Sequence, residues 1–129
     1  MLVIGLVPIL AAMVAAGVDT AVLFTHRRSL AADADAAALA AAQSADLQRF
    51  YSGDTLEELP LDCTAARRTA QHQLELSSNQ GMALQSFVCN QKSVSLTVSA
   101  PTTLPFAHYF GIAPTIEVGA NSAATSPLR

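Results

Sequence analysis

From Leu2 to Ser52 nothing in the chain forces the backbone out of a helix. No Pro lies between Pro8 and Pro60, and no Gly between Gly17 and Gly53. These are the two residues that a helix interior tolerates least. The pattern predicts one helix over residues 2–52, and its halves differ in what they can dissolve in. Leu2 to Phe24 is a run of 23 residues with one ionisable group, Asp19, and a Pro only near its start, where about 20 apolar residues suffice to cross a bilayer. After the basic break His26-Arg27-Arg28, the stretch Ala31 to Ala45 is two-thirds alanine, with Asp33, Asp35, Gln43 and Ser44 interspersed. Alanine propagates a helix with no side-chain entropy loss, while the polar residues keep this half out of lipid. At about 1.5 Å per residue the rod would measure roughly 75 Å against a hydrocarbon core of about 30 Å, so half of it would stand in water.

Within the apolar half, small residues recur at Gly5, Ala12, Ala16, Gly17 and Ala21, and the pairs Ala12-Ala16 and Gly17-Ala21 are four apart. That spacing lets helices approach closely in lipid; the plainer reading is an alanine-rich anchor. Asp19 is the sharper mark. A carboxylate at mid-membrane costs about 2.5–3.5 kcal/mol on insertion scales, so it is expected either to be paired or drawn to the interface within its own chain, or to bond to a partner in an assembly. Val14-Ala15-Ala16 before Gly17 loosely satisfies the small-residue rule of signal cleavage. A basic region before the apolar run is missing, however, and the helical pattern continues past the site, which favours a retained anchor.

The remainder is short, and its core must be small. Net charge is −3 with 13% charged residues, so there is no basic field to hold nucleic acid. The hydrophobic fraction, dominated by alanine, comes with 5% aromatics and no Trp, which predicts a thin aliphatic core. Cys63 and Cys89 are too few for a structural zinc site. A disulfide is the better reading if the domain lies in an oxidising compartment, with two small unpaired thiols as the alternative.

Leu47, Phe50 and Tyr51 give the predicted rod an apolar patch before Gly53 stops it, and Asp54 to Glu58 reads as an acidic loop leading to Pro60. Asp62 or Thr64 can cap a second helix over about 65–78, with Ala66, Ala70, Leu74 and Leu76 as a weak apolar stripe, and Gly81 suits a left-handed residue beyond its end. Leu84 to Cys89 and Ser93 to Ser99 read as strands joined by Asn90-Gln91-Lys92. Strict alternation of Val94, Leu96 and Val98 with Ser and Thr makes the second the clearest period-two signal in the chain. Phe106 to Phe110 reads as a helical turn whose rings cover the core edge, and Thr115 to Ala120 as a third strand. There is no phosphate loop, dinucleotide fingerprint, nucleophile elbow or zinc-protease motif. His26, His72 and His108 lack metal-ligand spacing, and Asp33 and Asp35, two apart on a helix, point to different faces. The sequence offers no catalytic residues, no cofactor or metal site and no evident small-molecule substrate.

Val18-Asp19 late in an apolar helix, Arg27-Arg28, and then Ala34-Asp35-Ala36-Ala37-Ala38-Leu39-Ala40-Ala41-Ala42 resemble the N-terminal signature of the TadE/TadG-like proteins of bacterial tight-adherence (Flp) pilus systems, the actinobacterial members most closely. A looser resemblance runs on through Leu59-Pro60-Leu61-Asp62-Cys63, Asn79-Gln80-Gly81 and the strand Ser93 to Ser99. The chain departs from the pattern at its start, where Met1 leads straight into Leu2-Val3-Ile4-Gly5 instead of a short basic leader, and position 5 is Gly5 where many mature pilins have glutamate. The resemblance implies an α+β, pilin-like architecture: a long N-terminal helix, transmembrane and then protruding, a second helix, and a small antiparallel sheet of about three strands. The expected division is a transmembrane segment over 1–25, a protruding alanine-rich helix over 26–53 and a small extracytoplasmic domain over 54–129. The resemblance implies a single-pass minor pilin or pilus-assembly component whose partners are membrane lipid and other pilin-like subunits or the assembly machinery. A free-standing single-pass protein whose outer domain binds a ligand or envelope partner is the alternative. Arg27-Arg28 directly after the span would by the positive-inside rule put the C-terminal part in the cytoplasm, whereas the resemblance puts it outside.

Overall fold

The computed structural model describes residues 2–44, 61–77, 79 and 81–126. It contains α1 (Leu2–Ala42), α2 (Cys63–Glu75), β1 (Ala83–Cys89), β2 (Ser93–Thr103), a 3-10 turn (Ala107–Phe110) and β3 (Thr115–Thr125). The three strands form one antiparallel sheet in the order β1-β2-β3. Among the described residues the fold is therefore α+β, with two helices and a three-stranded sheet.

One face of α1 forms the floor of the core. Leu30, Ala34, Ala37, Ala38 and Ala41 are fully buried, a spacing of three and four residues that keeps them on one side of the helix. They pack with Ala66, Ala70 and Leu74 of α2, with Val94, Leu96, Val98 and Ala100 of β2, and with Val118 and Ala120 of β3. The alanine stretch is thus less a bare rod than the central element of the domain. The absence of side-chain bulk lets the sheet and α2 come close to its backbone, which makes the core thin.

Asp62 caps α2, its Oδ1 accepting from Thr64 N (2.9 Å) and Ala65 N (3.1 Å), and so satisfies donors that the first turn leaves free. The buried stripe of α2 is Ala66, Ala70 and Leu74, while Leu76, beyond the last turn, is exposed. Gly81 has φ 80°, and a Cβ there would meet the Pro101 side chain at 3.2 Å, so the turn into β1 requires glycine on two counts. β2 continues to Thr103, four residues past the alternating motif. Pro101 is tolerated because β1 pairs with β2 only as far as Ser99, so no ladder bond from β1 is needed at that position.

The helix predicted to Ser52 ends as α1 at Ala42. Gln43 N and Ser44 N bond three residues back, to Ala40 O (3.3 Å) and Ala41 O (3.1 Å), tightening the end. Ser44 is then tied to the start of α2, through Asp62 N to Ser44 O (3.0 Å) and Ser44 Oγ to Thr69 Oγ1 (3.2 Å). The expected patch at Leu47, Phe50 and Tyr51, the stop at Gly53 and the acidic loop 54–58 lie outside the described residues. The turn at 107–110 differs from expectation in its side chains: only Ala107 is buried, whereas Tyr109 and Phe110 point outward.

Candidate functional site

The candidate site is α1 below the domain. Ile4, Leu6, Val7, Ile9, Leu10, Met13 and Val14 are all at least half exposed. Positions 4, 6, 7 and 9 already cover every side of a helix at 100° per residue, so the apolar surface is continuous round the axis. The helix is long and apolar enough to cross a membrane. A core helix of a soluble domain would show one buried face here; this half shows none.

The residues nominated from the sequence divide into two groups. Taking Asp19 as reference at 100° per residue, Ala12 and Ala16 lie within about 60° of it, as do the buried Leu30, Ala34, Ala37 and Ala41, whereas Gly17 and Ala21 lie roughly 160° away. Asp19, Ala12 and Ala16 therefore continue the sector of Leu30, Ala34, Ala37 and Ala41, while Gly17 and Ala21, exposed at their own level, continue the sector of Asp35, which meets β3 higher up. Nothing lies within 4 Å of the position a Cβ would take at Gly17. Asp19 has a partner inside its own chain, since its Oδ1 accepts from Phe106 N at 3.0 Å. That bond, from the loop between β2 and β3, is one the sequence reading did not foresee; 87 residues separate the partners.

The other two aspartates of α1 also hold the domain. Asp33 Oδ2 accepts from Ser77 Oγ (3.1 Å) and from Asn79 Nδ2, which also reaches Ser29 Oγ (3.1 Å). Asp35 Oδ1 accepts from Ser122 Oγ at 2.6 Å. Two residues apart, they point to different faces, one to the end of α2 and the other to β3. The polar marks on the alanine helix are thus the latches that fix α2 and the sheet around it.

Cys63, at the start of α2, and Cys89, at the end of β1, form a disulfide with a Cα–Cα distance of 5.8 Å. Next to it Arg67 lies over the Phe87 ring, 5.8 Å from its centroid. The bond joins α2 to the edge strand, which otherwise share few contacts.

Residues 1–44 match the family model of the TadE/G-like proteins of Flp pilus assembly. The matched segment is α1 with its terminal turn, the element that carries both the apolar half and the latches. No curated protein and no solved structure shows significant similarity to the chain.

Proposed function

We propose, on the premise that residues 1–44 carry a TadE/G-like Flp pilus-assembly region, that this protein is a membrane-anchored pilus-assembly component, a minor pilin or assembly factor. It acts by helix packing, not by catalysis. The observation that carries this reading is the construction of α1. One unbroken helix is uncovered on all sides from Ile4 to Val14 and is the core of a folded domain from Leu30 onward. Motion or packing of the anchor is thereby transmitted to the domain without an intervening linker.

In this reading the anchor lies within residues 1–25 and the α+β domain, built on the rest of α1, stands outside the cytoplasm. The disulfide supports that side, because such bonds persist in oxidising compartments. It outweighs the charge of Arg27-Arg28, since both arginines are exposed beside the domain and long enough to reach lipid headgroups. The exposed pair Gly17 and Ala21 offers a close-packing face for another helix, and Ala12 and Ala16 a second sector below the domain.

The test is fractionation followed by N-terminal sequencing. The protein should pellet with membranes, resist carbonate extraction and retain Leu2 to Phe24. A soluble chain beginning at Gly17 would overturn the reading.

A further inference from the structure

The loop between β2 and β3 occupies a defined level along α1. Asp35 and Asp19, the two helix residues bonded to this part of the chain, are about 24 Å apart along the axis. Ser122, bonded to Asp35, is separated from the start of β3 at Thr115 by about 23 Å of strand. β3 therefore runs alongside α1 in the same direction, and the bond from Phe106 N to Asp19 Oδ1 (3.0 Å) holds the loop at the foot of the domain, where the bare apolar half of α1 begins.

The loop is closed on itself. Leu104 N donates to Pro114 O (2.7 Å), Tyr109 N to Phe106 O (3.0 Å), Gly111 N to His108 O (3.2 Å) and Ile112 N to Ala107 O (3.1 Å). With Ala107 as its buried foot, it presents Tyr109, Phe110 and Ile112 outward, 74%, 46% and 56% exposed. Between Leu104 and Thr115 there is no Asp, Glu, Lys or Arg.

We infer that this loop is a second membrane contact, seated in the bilayer interface beside α1. The inference rests on the anchoring reading above and adds a surface that reading does not contain. Three observations select lipid as the occupant. The loop is continuous with the apolar half of α1, so a bilayer around that helix necessarily meets it. Its donors at Leu104, Tyr109, Gly111 and Ile112 are bonded within the loop and that of Phe106 to Asp19, which lowers the cost of entering a medium that cannot hydrogen-bond them. Its exposed side chains include Tyr and Phe, and amphipathic Tyr rings are favoured at the headgroup level.

The lipid boundary then falls near Asp19, several residues before Thr25. Leu2 to Val18 spans about 25 Å, at the short end of what crosses a hydrocarbon core. Asp19 sits at the edge with its carboxylate already bonded. Phe24, 67% exposed, lies about 7–8 Å further along the axis and about 140° round the helix, so aromatic rings flank the boundary on both sides of the anchor.

Because the chain has no Trp, a single introduced one is a clean reporter. Tyr109→Trp and, separately, Met13→Trp full-length protein is reconstituted into vesicles of phosphatidylcholine and phosphatidylglycerol containing lipids brominated either near the carbonyl or near the methyl end of the acyl chains. Trp at 109 should emit to the blue and lose more intensity with the shallow bromines than with the deep ones, while Trp at 13 is quenched by bromines within the chain. Quenching at 13 with a red, iodide-accessible Trp at 109 overturns the loop contact and leaves the anchor standing. Trp at 109 shielded from iodide yet untouched by bromines overturns it in favour of a protein contact. No quenching at either position overturns both readings.

Discussion

Alanine decides the structure of this protein at the level of single residues. Ala37 and Ala38 have no exposed surface, while Ala36 between them and the latch Asp35 is exposed. Ala37→Leu should therefore force apart α1 and the elements packed on it, at a cost of about 1–3 kcal/mol. Ala36→Leu should stay within about 0.5 kcal/mol. Chemical denaturation of the detergent-solubilised protein, followed by circular dichroism, compares the two; equal effects would contradict the packing described. Asp33→Ala leaves Ser77 and Asn79 without their shared acceptor and should destabilise by about 1–2 kcal/mol, less than full burial would give because the cluster is partly solvated. That the two aspartates serve different faces was legible from their spacing. Which alanines are buried was not, because a stretch that is alanine on every side carries no hydrophobic period.

The elements show the same division. β2 was legible from the alternation of Val94, Leu96 and Val98, and the left-handed Gly81 from local chemistry alone, while the cap was legible only as Asp62 or Thr64, of which Asp62 takes the role. Where the helix stops, and where the rings of the 107–110 turn point, depended on contacts between residues far apart in sequence: Ser44 with Thr69, Asp19 with Phe106. The disulfide is the strongest single tie between α2 and β1. With a sequence separation of 26 between its ends, the chain-entropy account assigns it about 3–4 kcal/mol. Denaturation midpoints of the oxidised and the reduced, alkylated protein should differ accordingly. Alkylation of both thiols in denatured, unreduced protein would contradict the bond. Gly81→Ala should cost about 1–2 kcal/mol through its positive φ, with further loss from the approach to Pro101.

At the scale of the molecule, α1 makes anchor and domain one body, and the family match falls on this element. The sequence announced the long helix and its apolar first half; it did not announce that Asp19 is occupied within the chain, so a variant at Asp19 disturbs the domain's own loop and is a poor probe of partners. Gly17 is the better one. Nothing lies within 4 Å of the position a Cβ would take there, so Gly17→Leu leaves the fold and insertion intact while blocking close approach of another helix. The most direct measurement is recovery of pilin-like subunits with the tagged protein from detergent-solubilised membranes, wild type against Gly17→Leu, with both confirmed in the carbonate-resistant fraction. The account predicts that the wild type carries those subunits with it and that the variant, inserted equally well, loses them. Equal recovery by the two proteins would contradict it.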